Sequence, residues 1–332
     1  MPINPVILFT ERMEILEKDF LSNFDPKKIL GKYNKCFNVG FLTIIISCEN
    51  NEIFKKLNGY YNLNSKIPKF SSVILIKIEI SEETDLERDF TWLKNIQGIK
   101  KGKDNYNSTI YKYENTIFIK SESSHFLRII APCIEDIFTS LSIITKIIEG
   151  IIIDQYIGAG YLPVHSCLVK NNSEYKLILG NSQSGKTTFA QNLIEKNFSI
   201  ISDEITFISN KDIVGFGQYI KEYSTEKNKS NSNIEQYNNV YRKVTKLVEN
   251  DSSFKEINQI YLMGLSKNPT FSQKVDKFND KMQIMIKYLH LFPNEYFIDK
   301  DISYTLIVEV AKRLANIEVI IVKNQYDYKK QL

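Results

Sequence analysis

Residues Gly180, Asn181, Ser182, Gln183, Ser184, Gly185, Lys186 and Thr187 run in the order G-x-x-x-x-G-K-[ST], directly after an apolar stretch and at the opening of a helical one. That pattern suits phosphate chemistry. Glycines let the backbone wrap closely enough for successive N–H groups to face phosphate oxygens, and a helix N-terminus adds the positive end of its dipole. In such a loop Lys186 reaches the β and γ phosphates of a nucleoside triphosphate and Thr187 ligates Mg2+, with Thr188 completing the cradle. Asp203 and Glu204 follow one helix later, at the end of a β-like run. Carboxylates beside such a loop hold Mg2+ or accept the proton of an attacking hydroxyl. Taken alone, an acidic dipeptide is more often a solvated turn; its place after the loop favours the chemical role. His165 precedes the loop, between Val164 and Leu168, where a lone histidine reads as a satisfied core residue. His125 and His290 have no chemical neighbours in the sequence.

The elements that must carry these residues form an α/β pattern: strand Leu162–Lys170, strand Tyr175–Gly180, the glycine-rich turn, helix Thr187–Asn197, and a second β-like stretch Phe198–Ile208 with the acidic pair between two runs. Further on come a strand at Ile257–Leu265, helices near Ser272–Leu291 and Ile302–Ala315, and a closing strand at Ile317–Val322. Residues 224–239 are almost wholly polar and predict a mobile loop, read as a lid over the site. Lys221 before it and Arg242 after it are candidate cationic clamps for a transferring phosphate, with solvated surface charge as the plain alternative. The first part of the chain alternates in short runs, Phe37–Ser47, Ser72–Ile80 and Thr109–Ser121, and then turns helical over Arg128–Gly150. The expected division is a β-rich α+β domain over residues 1–135 and a P-loop domain over 136–332.

Apolar residues make up 43% of the 332 and charged residues 25%, so the chain can bury a core and is not of the disordered class. A net charge of +4, with basic and acidic residues interspersed, gives no field that would point to nucleic acid. The most apolar segment, Ser140–Leu162, is interrupted by Lys146, Glu149 and Asp154 and reads as an amphipathic helix rather than a membrane span. Four scattered cysteines without zinc spacing, and an N-terminus lacking a long apolar core, predict a cytoplasmic protein with reduced thiols. Homo-oligomerisation is left open.

Taken together, His165, the loop Gly180–Thr187 and the pair Asp203-Glu204 resemble the catalytic domain of the HPr kinase/phosphorylase family and its relatives in peptide-modifying gene clusters, over about residues 158–322. The resemblance implies a P-loop fold akin to phosphoenolpyruvate carboxykinase, ATP and Mg2+ as cofactors, Lys186 and Thr187 on phosphate and metal, and Asp203 as base for a substrate hydroxyl. It further implies that Glu204 assists the metal and that His165 lies near the phosphates. Glu204 departs from the second Asp of the bifunctional enzymes, and only Val214–Tyr223 stands where their glycine-rich signature would be, which sets phosphorolysis and HPr itself aside. The expected activity is transfer of a γ-phosphoryl group to a Ser or Thr hydroxyl of a peptide or small protein. A small-molecule hydroxyl, a regulatory nucleotide-binding protein and an NTPase are the alternatives.

Overall fold

The computed structural model describes residues 31–58, 60–61, 63, 72–81, 90–96, 98–105, 107–171, 174–181, 184–194, 196–216, 219–224, 234–237, 240–246, 256–264, 273–289 and 295–322. Among them the architecture is mixed α/β, and the chain divides into two compact units, one up to residue 145 and one from residue 146, with Tyr60 and Tyr61 grouped with the second. The division falls inside a helix, later than the expected boundary at 135/136.

The first unit is built on one eight-stranded sheet. Its strands are β1 (Tyr33–Val39), β2 (Leu42–Cys48), β3 (Ser72–Ile80), β4 (Thr91–Ile96), β5 (Ile99–Lys103), β6 (Thr109–Tyr113), β7 (Thr116–Lys120) and β8 (Phe126–Ala131), in the order β1-β2-β3-β8-β7-β6-β5-β4. The apolar run Phe37–Ser47 is not one strand. Gly40 takes φ 51° and turns it into the β1–β2 hairpin, a bend that apolar periodicity alone does not reveal. All seven residues of β2 are buried, so both faces of this strand are covered, and it lies inside the sheet between parallel β3 and antiparallel β1. Helix α1 (Asn51–Leu57) starts where the Asn50 side chain accepts from the N–H of Glu52 at 2.8 Å, and it buries Ile53, Phe54 and Leu57. Arg128 was expected to open a helix but lies within β8; α2 begins only at Ile134 (Ile134–Thr139).

Helix α3 (Leu141–Gly158) crosses the division, and in the second unit Gly150 lets the backbone of Phe297 approach so closely that a Cβ would sit 2.6 Å from its carbonyl oxygen. One turn on, the buried Asp154 carboxylate accepts from the backbone N–H groups of Asp299 and Lys300 at 2.9 and 3.0 Å. A seven-stranded sheet follows, formed by β9 (Leu162–Lys170), β10 (Tyr175–Gly180), β11 (Ser199–Ile208), β12 (Ile213–Phe216), β16 (Gln259–Met263), β17 (Gln273–Val275) and β18 (Glu318–Val322), ordered β12-β11-β9-β10-β16-β18-β17. Strands β10, β16 and β18 are parallel neighbours, while β9 is inserted antiparallel between β10 and β11.

Alternation sorts the side chains to two faces. Ile178, Cys167 and Val169 pack with Phe189, Ala190 and Leu193 of α4 (Lys186–Ile194); Leu177, Leu179 and Leu168 pack with Met285 and Leu289 of α5 (Phe278–Leu289) and Val310 and Leu314 of α6 (Tyr304–Ala315). The polar segment 224–239 is not a loop throughout. Ser224 ends β13 (Tyr219–Ser224), and Ile234–Tyr237 forms β14, both paired to β15 (Val240–Lys246) in a three-stranded antiparallel sheet; residues 225–233 and 238–239 lie outside the described residues. Likewise a short strand, β17, precedes α5 where helix was expected from Ser272. Among the described residues no helix is long and apolar enough to cross a membrane, and all four cysteines are free thiols.

Candidate functional site

The loop between β10 and α4 is positioned by buried packing on both of its flanking elements. Strand β10 is buried from Leu177 to Gly180, and Phe189, Ala190 and Leu193 anchor α4 on the same sheet face as Ile178. Gly180 is required by space, since a Cβ there would lie 2.4 Å from Ser184 Oγ and 3.1 Å from the carbonyl oxygen of Met263; Gly185, at φ 91°, is required by conformation. Ser184 Oγ is buried without a hydrogen-bond partner among the described residues, and Gly264 closes over its Cβ at the end of β16. Ser182 and Gln183 lie outside the described residues, Asn181 is exposed, and Thr188 is exposed on α4.

Lys186 is buried, and its Nζ donates to the carbonyl oxygens of Gly180 at 2.9 Å and Asn181 at 3.0 Å, curling the side chain back over its own loop. Desolvation pulls its pKa below the ordinary lysine value, while Glu204, Asp203 and Cys167 pull the other way. The adjacent Thr187 hydroxyl lies 3.0 Å from both carboxylate oxygens of the buried Asp203. Loop and acidic pair therefore meet in one place.

Strand β11 brings the carboxylates there by an irregular path. The sequence placed the acidic pair between two β-like runs; these form one strand, β11, which pairs with β9 along its length, with a register shift between Ile200 and Ser202 and with Glu204 at φ 99°. Four residues of straight strand span about 13 Å, yet the hydroxyls of Ser202 and Thr206 meet at 2.9 Å, so the strand is sharply bent at Glu204. In regular alternation Asp203 and Glu204 would face opposite sides of the sheet. The bend instead leaves Asp203 on Thr187 and brings Glu204 Oε2 to 4.0 Å from His165 Nε2.

His165 is mostly buried, and its pKa is lowered from 6.5 to about 4, first by desolvation and then by the charge of Lys186, with Glu204 opposing. The imidazole is neutral at pH 7, so its contact with Glu204 is not an ion pair despite the geometry. Sequence reasoning passed over Cys167, two residues beyond His165 and paired with Asp203 across the strands. Its fully buried thiol is held well above the usual range by burial and then by the Asp203 charge, with which it hydrogen-bonds. The period-2 alternation from His165 was the available signal. Lys221 and Arg242 stand on β13 and β15, across from Val244 and Tyr223; only their backbone positions are described.

The donor set fits an anion together with a hard divalent cation: a buried ammonium, a hydroxyl and carboxylate in contact, and the orphaned Ser184 hydroxyl at a helix N-terminus. Among the described residues no group of three or more His, Cys, Asp or Glu is gathered to hold a metal ion, so a cation here would need ligand or water oxygens as well. No protein-family model matches the chain, and no curated protein matches it.

Proposed function

We propose that the second unit is a Mg2+-dependent phosphotransferase of the HPr-kinase-like type, taking ATP at the loop Gly180–Thr187 and passing its γ-phosphoryl group to a Ser or Thr hydroxyl of a peptide or small protein. The observation that carries this reading is the contact of the Thr187 hydroxyl with both oxygens of the buried Asp203. It couples the metal-binding position of the loop to a carboxylate able to serve as base. Phosphates entering the loop compete with the Gly180 and Asn181 carbonyls for Lys186, whose buried charge then offsets that of the transferring group. Asp203 takes the proton as the acceptor oxygen bonds to phosphorus and the β–γ bridging oxygen leaves with ADP. Mg2+, when bound at Thr187 and Asp203, supplies charge neutralisation on the phosphates. Neutral His165 offers a hydrogen bond beside Lys186 without adding a second positive charge.

Turnover of γ-labelled ATP with hydroxyl-bearing peptides tests this. Transfer should require Mg2+, fall at least about 100-fold in Asp203→Asn while nucleotide binding survives, and vanish with binding in Lys186→Ala. Tight ATP binding by the wild type with neither transfer nor hydrolysis would replace the proposal with a regulatory nucleotide-binding role.

A further inference from the structure

The first unit carries a second feature with chemical content, at the β4 end of its sheet. Among the described strands β4 pairs only with β5, and five of its six residues are exposed, including Leu93 at 61% and Ile96 at 46%. An exposed edge offers a row of backbone donors and acceptors to any extended chain. Residues 91–103 hold Lys94, Lys100, Lys101 and Lys103 and no acidic residue.

The register sharpens the point. Lys94 stands directly across from Lys101, and Lys100 directly across from Lys112. One such pair lies on each face of the sheet, since Lys100 and Lys101 are consecutive on β5. Lys100 also sits 5.8 Å over the ring of Trp92, which fixes one of these charges beside the edge.

A neutral strand is a poor occupant. Lys94 and the register shift between Trp92 and Lys94 are devices that keep a bare edge from pairing indiscriminately. An acidic strand meets the opposite situation. Side chains alternate to both faces, so glutamates on an added strand would approach Lys94 on one face and Lys100 on the other.

We infer that β4 is a docking edge for an extended acidic polypeptide segment, which joins the sheet as a further strand. This does not rest on phosphotransferase activity, because binding is read without nucleotide. Within the proposed function it would make the edge a holding site for an acidic substrate.

The test is fluorescence anisotropy on the full chain with labelled nine-residue peptides alternating Glu with Thr or Val. Three comparison probes are a Lys-for-Glu version, a version N-methylated at alternate residues, and a uridine oligonucleotide. The acidic peptide should bind, lose affinity about tenfold or more in the Lys94→Glu/Lys100→Glu variant, weaken with added salt, and fail when N-methylated, because strand addition uses main-chain hydrogen bonds. Thermal melting of the variant checks that it folds; if it does not, the N-methylated probe on wild type decides alone. Equal binding of the N-methylated or Lys-containing peptide, no binding of the acidic peptide, or binding of the oligonucleotide in its place overturns the inference.

Discussion

Burial makes the charge of His165 depend on folding. Unfolded, its imidazole titrates at 6.5; in the native site desolvation and Lys186 hold it at about 4. Between those values the unfolded chain binds more protons than the native one, so stability rises with pH across the window, is fully present above about 6.5, and is lost as pH falls toward 4. The span corresponds to about 3 kcal/mol. Denaturant unfolding from pH 4 to 7.5 should show this slope in the wild type and a smaller one in His165→Gln, the difference isolating the imidazole from carboxylates that titrate at the lower end. Identical slopes would mean that His165 is solvated. The residues alone read His165 as a core histidine, and only the family resemblance implied a place near the loop; its neutrality was not legible, because that follows from the depth of β9 in the sheet and from Lys186 folding back over the loop.

Strand boundaries show the same split between what pattern carries and what packing adds. Ser72–Ile80 was legible to the residue as β3, since no turn residue interrupts its β-branched, apolar run. Three other stretches were not. Gly40 and the Glu114-Asn115 turn cut the runs Phe37–Ser47 and Thr109–Ser121 into hairpins, and β8 carries Arg128 past the expected helix start. The acidic pair sits at the bend of β11, held by the Ser202–Thr206 hydroxyl contact, with Glu204 in backbone space that favours glycine. The strain is testable. Glu204→Gly should relieve about 1 kcal/mol and raise the melting temperature by about 2–4 °C, while phosphoryl transfer falls because the second carboxylate is gone. A lower melting temperature would show that Glu204 contributes more by its contacts than its backbone conformation costs.

At the scale of the whole chain, the two units differ in what a ligand can do to them. The loop, Asp203, Glu204 and His165 all belong to the second unit, so a nucleotide held at the proposed site would act on the opening equilibrium of that unit. A ligand at a hundred times its dissociation constant stabilises the state that binds it by about 2.7 kcal/mol, which is a roughly hundredfold slowing of exchange for amides that open only when the site is lost. Hydrogen exchange with ATP and Mg2+ should therefore slow most in β9, β10, α4 and β11. It should leave β1–β8 at their unliganded rates, because that sheet has its own core of Phe37, Ile44, Ile76, Phe118 and Ile129 and can open on its own. An acidic peptide should do the reverse, slowing exchange along β4 and β5 while the loop is unchanged. If nucleotide slows β1–β8 as strongly as β10, the two units open as one cooperative body, and ligand at either site would be felt at the other through global stability alone. If neither addition slows any amide, both proposed sites fail together, and the contact of Thr187 with Asp203 would be a packing feature of the sheet rather than the seat of chemistry.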